Sequence, residues 1–146
     1  MVAYFSLPDG SNATKGTSDY AAEYGNYSFF FASAANRDAF VHDPESFVPQ
    51  WGGFCSYGIS EENWWTWSEI KEAGPSSNPN VWKVIDGKLY VFMYEEPFQK
   101  FMAGDITGQI IRGNLRWTNW TQGKKFFNTN CPWWSMDCGR FSDDCV

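Results

Sequence analysis

The chain has one histidine, His42, and four cysteines, Cys55, Cys131, Cys138 and Cys145, and any metal or nucleophile chemistry must begin with these five side chains. His42 and Cys55 stand thirteen residues apart with Asp43 and Glu45 between them, so an imidazole, a thiolate and two carboxylates offer a four-ligand shell suited to copper or zinc. Pro44, Pro49 and Gly52-Gly53 break up the intervening chain. One histidine and one thiol are a poor start for a site, and a histidine at the end of a helix already has a role as a cation meeting the helix dipole. Catalytic arrangements fare worse. No Gly-X-Ser-X-Gly turn is present, a Cys-His pair requires Cys55 to be reduced, and Glu61, Glu62, Glu69 and Glu72 read as a solvated helix face rather than as acid and base for glycoside cleavage. The expectation is a protein that is not an enzyme and holds no resident cofactor.

The remaining chemistry points to a compartment. Three of the four cysteines crowd into the last sixteen residues, which suggests staples, although four cysteines allow three connectivities. Asn12, Asn26 and Asn119 each open an Asn-X-Ser/Thr sequon. With few lysines and 29 aromatic residues, these features predict a secreted or extracellular protein, lumenal and periplasmic locations included, whose signal segment is absent from the sequence. A net charge of -6 with only eleven Lys and Arg excludes a nucleic-acid face. Arg112, Arg116, Lys124 and Lys125 read as an ordinary solvated patch. No apolar run approaches the ~20 residues of a membrane span.

Nine tryptophans exceed what a core of this size comfortably uses. "NWWTW" carries Trp64, Trp65 and Trp67, "RWTNW" carries Trp117 and Trp120, and "CPWWSMDC" carries Trp133 and Trp134. A surplus left in solvent marks an interface. Trp64, Trp65, Trp67, Trp133 and Trp134 are the candidate contact residues, with a protein neighbour or a second copy as the expected partner and carbohydrate as the alternative.

The elements that must position these groups are legible from turn and cap signals. "VWKVIDGKLYVFM" is a β-hairpin around Asp86-Gly87, because that pair supplies the positive φ angles of a type I′ turn. "AEYGNYSFFF" is a second hairpin around Gly25-Asn26. "SAANRDAFVHD" is a helix capped by Ser33 and stopped by Pro44, "YEEPFQKFMAG" an amphipathic helix, and "DITGQIIRGNLRWTNW" a helix behind an Asp105 cap, weakened at Gly108 and Gly113. Residues 46–60 read as irregular and "EAGPSSNPN" as a loop. No repeat appears at any solenoid period. The fold class is α+β, with antiparallel hairpins packed against short helices.

In that order, "VAYF", "KGTSDYAAEYGNYSFFFASAANRDAFVHDPESFVPQWGGFCSYG" and "NVWKVIDGKLYVFM" resemble the YHS-domain family in its secreted or periplasmic branch, over roughly residues 2–130. The resemblance rests on the small-residue helix start after an aromatic strand, the Asp-Pro after the helix, the Gly-Gly-aromatic-Cys turn and the Asp-Gly-Lys-Leu-Tyr hairpin. It implies a small α+β domain at 2–130 followed by a cysteine-rich tail at 131–146. Metal-handling members carry cysteines where this chain has Ala32, Ser33, Ala34 and Ala35, so their thiolate site is missing, and the chain starts after the Gly-Tyr-Asp-Pro that usually opens the domain. In members with the Gly-Gly-aromatic-Cys turn, a C-terminal Phe-Asn-Thr-X-Cys accompanies it, here "FNTNC". The resemblance thus implies a Cys55–Cys131 disulfide, leaving Cys138 and Cys145 to close a small terminal loop. The functional expectation is a non-catalytic secreted binding or structural module in an extracellular assembly, with copper or zinc handling as the alternative.

Overall fold

A computed structural model describes residues 1–129. The tail at 131–146, with Cys131, Trp133, Trp134, Cys138 and Cys145, lies outside the described residues. A 3-10 turn at Val2–Phe5 precedes the first hairpin, β1 (Thr17–Tyr24) and β2 (Tyr27–Phe31). The helices α1 (Ala34–His42) and α2 (Pro44–Phe47), a 3-10 turn at Gln50–Gly53, and the helices α3 (Ser56–Glu61) and α4 (Trp67–Ala73) follow. The second hairpin, β3 (Asn78–Ile85) and β4 (Lys88–Phe92), leads into α5 (Glu95–Ala103) and α6 (Ile106–Thr121). The class is α+β, with two antiparallel two-stranded sheets. Among the described residues no helix is long and apolar enough to cross a membrane.

Both hairpins turn as their sequences require. Gly25 and Asn26 have φ of 62° and 68°, and Asp86 and Gly87 have φ of 49° and 70°, the paired positive values of a type I′ turn. Ser33 caps α1 by accepting from the Asn36 N–H at 3.2 Å, and Asp105 caps α6 by accepting from the Gly108 N–H at 3.1 Å. Pro44 ends α1 and also opens α2, where the first helical position needs no N–H.

Residues 46–60 are not irregular. They hold the end of α2, a 3-10 turn and most of α3. These pieces are four to six residues long, too short to show a hydrophobic period, so tertiary packing forms them. The segment read as a loop is shorter than its composition suggests, because Glu72 and Ala73 close α4 and Asn78–Asn80 already belong to β3. Gly113, which costs helix propensity, has a packing reason: a Cβ there would lie 2.3 Å from Trp51 Cζ2. That approach seats the Trp51 indole on α6, where its Nε1 donates to Asn114 Oδ1 at 3.0 Å.

A two-fold recurrence organises the chain. Every boundary of β1-β2-α1 recurs 61 positions later in β3-β4-α5: Thr17 and Asn78, Tyr24 and Ile85, Tyr27 and Lys88, Phe31 and Phe92, Ala34 and Glu95, His42 and Ala103. The ladders share one irregularity, a register shift between Thr17 and Ala21 in the first and between Asn78 and Trp82 in the second. The inner faces match as well. Phe31 meets Phe40 at 4.9 Å between ring centroids, and Phe92 meets Phe101 at 5.2 Å. Phe29 and Tyr90 complete the two aromatic trios. The first trio packs with Val48 and Phe127, the second with Trp51, Phe54, Ile59 and Ile70.

Candidate functional site

Cys55 follows the Gly52-Gly53 bend, which carries it into the interior at the head of α3, 3% exposed. Burial pushes its thiol pKa up, opposed by the N–H groups of Gly58, Met93 and Tyr57 that reach the sulfur. A thiol held neutral is a poor nucleophile and a poor soft-metal ligand. Around it is a small cavity of about 70 Å³, lined among others by Tyr57, Glu62, Met93, Tyr94 and Lys100. That volume holds a water or two, not a substrate.

His42 sits elsewhere. It ends α1 and is exposed, which is the position where a cation meets the helix dipole. Its neighbours have other partners: Asp43 accepts from the Ser46 hydroxyl, and Glu45 pairs with Lys125 and accepts from the Tyr24 hydroxyl. Those contacts hold the Glu45 carboxyl below its ordinary pKa, the Lys125 hydrogen bond first and the Tyr24 hydroxyl second. Among the described residues no group of three or more His, Cys, Asp or Glu converges to hold a metal ion.

Glu61, Glu62, Glu69, Arg112 and Arg116 are engaged in structural contacts. Glu61 pairs with Arg112 at 2.8 Å, Glu62 accepts from Trp65 Nε1 at 2.7 Å, and Glu69 closes a capping box with Thr66. Arg116 donates to the Ile59 and Glu62 carbonyls at 2.9 and 3.0 Å. The capping box was readable as Thr66-X-X-Glu69, a signal that marks α4 directly.

The described tryptophans divide three ways. Trp51 and Trp82 are buried, while Trp65, Trp67, Trp117 and Trp120 are half-buried around the core. Trp64 is 65% exposed. It joins Ile111 at 53% and Leu115 at 63%, one turn apart on α6, as large apolar groups left in solvent. The Arg112–Glu61 pair and a 3.0 Å hydrogen bond from Arg116 to Asn63 Oδ1 hold the segment bearing Trp64 against this helix. Asn12, Asn26 and Asn119 are all exposed, as an acceptor side chain must be. No family model matches the chain, and no match was found among curated proteins or solved structures.

Proposed function

We propose that the protein is a non-catalytic, secreted binding or structural module of YHS type that docks a protein neighbour in an extracellular assembly. The observation that carries this reading is the exposed apolar set Trp64, Ile111 and Leu115, tied together by arginine contacts between α6 and the segment after α3. Ile111 and Leu115 stand one turn apart on α6 and Trp64 on the segment its arginines hold, and bulky side chains left exposed in this way are what an interface leaves bare in the free protein. Support for a disulfide-stapled tail comes from Asn128. Its N–H donates to the Gly52 carbonyl at 2.8 Å, and Cys131 and Cys55 each lie three residues farther on. Three residues reach about 10 Å at most, so a Cys55–Cys131 bridge is within the reach of the chain. The three exposed sequons support glycosylation and hence secretion.

The test is sedimentation velocity of the secreted protein over a wide concentration range, with non-reducing intact mass and elemental analysis on the same sample. Self-association or partner capture lost in W64S/L115E, four cysteines that resist alkylation in denaturant without reductant and added glycan mass are the expected result. A monomer whose thiols alkylate and which carries about one copper or zinc per chain overturns it in favour of metal handling.

A further inference from the structure

A cleft of about 400 Å³ between α4 and the C-terminal end of α6 is lined by Trp67, Lys71, Asn119, Trp120, Gln122 and Lys124. We propose that this cleft binds an acidic saccharide unit, a pyranose ring bearing a carboxylate or a sulfate. The volume falls within the range of small-molecule sites.

Three features of the lining converge on this class. The apolar walls are fixed in advance: Trp67 meets Trp117 at 6.4 Å and Phe126 at 5.0 Å in edge-on contacts, and Arg116 lies over the Trp120 ring at 5.8 Å. Indole walls suit the C–H faces of a sugar ring, and the amides of Asn119 and Gln122 suit its hydroxyls. The charge is the second feature. In a chain of net charge -6 the described residues that line the cleft include two lysines and no carboxylate, and among the described residues neither Lys71 nor Lys124 has an ion-pair partner. Lys71 rests its ammonium over the Trp67 ring at 5.9 Å, which places a cation beside an apolar wall. An anion is therefore favoured here against the field of the rest of the molecule.

The third is a preset rim. Gln122 caps α6 in the left-handed region with φ 51° and ψ 38°, its N–H donating to the Thr118 carbonyl at 2.9 Å, so the backbone at the cleft edge is fixed before any ligand arrives. Ile111 and Leu115 are absent from the lining, so this site is separate from the protein-facing surface.

A glycan on Asn119 would cover the cleft, so the site is open in chains whose Asn119 sequon is unused, and the experiment uses the full chain from a bacterial periplasm, where Asn119 carries no sugar. It is titrated with a tetrasaccharide of alternating glucuronate and N-acetylglucosamine, with neutral chitotetraose and with sodium sulfate, and read by tryptophan fluorescence and calorimetry. Saturable binding of the acidic sugar with Kd of about 0.1–1 mM is expected, weakened about tenfold in K71Q/K124Q and weakened by added salt. Neutral sugar binds at least about tenfold more weakly. The proposal fails if nothing saturates by about 10 mM or if K71Q/K124Q binds as the wild type does. It also fails if chitotetraose or sulfate alone matches the acidic sugar.

Discussion

The two hairpin-helix units have the same lengths, the same register shift and the same buried aromatic trio, yet they treat their second faces in opposite ways. In the first unit Ala21, Glu23 and Ser28 face solvent. In the second, the corresponding Trp82, Val84 and Leu89, with Val91, form a cluster under Tyr4, Phe5 and Leu7 of the N-terminal segment. That segment is tied down by hydrogen bonds from Tyr4 to the Pro79 carbonyl at 2.9 Å, from Trp82 Nε1 to the Ser11 carbonyl at 2.8 Å and from the Ala13 N–H to Asn80 Oδ1 at 2.8 Å. An isolated hairpin is marginal in water. The shared inner face therefore specifies the unit, and the outer face decides how much stability each copy contributes.

The largest test removes the equivalent ring from each unit. Phe40 is 1% exposed and Phe101 is 0% exposed, so F40A and F101A each cost about 3–5 kcal/mol in urea unfolding. F101A is the worse of the two, because its hole opens inside the larger cluster, whereas the first cluster lies under a hairpin with one solvated face and can partly collapse. A single transition is expected for both, since Lys88 of the second hairpin donates to the Glu45 carbonyl of α2 and links the units. Two transitions in F40A, or a larger loss there than in F101A, break the comparison.

Next in size is a pH effect whose largest part comes from the covered face. Burial pushes the Tyr4 hydroxyl pKa up to about 12. A tyrosine in the unfolded chain ionises near pH 10, so between pH 10 and 12 the unfolded state loses its proton first. The stabilisation is fully present below pH 10 and is lost as pH rises toward 12, by about 3 kcal/mol at most. Urea midpoints from pH 9 to 12 should fall steeply in the wild type and more gently in Y4F, with a residual slope from Tyr24 and Tyr90, which burial also raises. Equal slopes would mean that the N-terminal segment does not seal the second hairpin.

Much of this was legible in the residues and some of it could not be. Asp86-Gly87 and Gly25-Asn26 marked both hairpins, and Ser33 and Asp105 marked two helix starts, because turns and caps are local chemistry. The recurrence was invisible, since over its 26 aligned positions only Phe31 with Phe92 and Phe40 with Phe101 are identical. What repeats is register and burial, which different residues satisfy equally. The saccharide cleft was illegible for a related reason: Lys71 belongs to α4 and Lys124 follows α6, and only the packing of those helices brings them together. Trp64 stood out as a surplus aromatic, but nothing local separated it from half-buried Trp65 and Trp67.

The smallest effect separates the two turns, which use glycine at opposite positions: first in Gly25-Asn26, second in Asp86-Gly87. At Gly87 a Cβ would meet nothing within 4 Å, so G87A pays only the left-handed backbone, about 1 kcal/mol. At Gly25 a Cβ would lie 2.7 Å from Lys125 Cβ, and Lys125 is held by its pair with Glu45 and by the Tyr24 ring at 5.1 Å. It cannot give way freely, so G25A costs about 2 kcal/mol. The sharper variant transplants the second turn into the first. Asp-Gly is a strong hairpin turn by itself, so G25D/N26G should stabilise an isolated hairpin. In the folded protein the same change should lower stability by about 1–2 kcal/mol, because the new side chain must displace Lys125. A gain in thermal stability would show that the first turn is set by its own two residues and not by the chain packed over it.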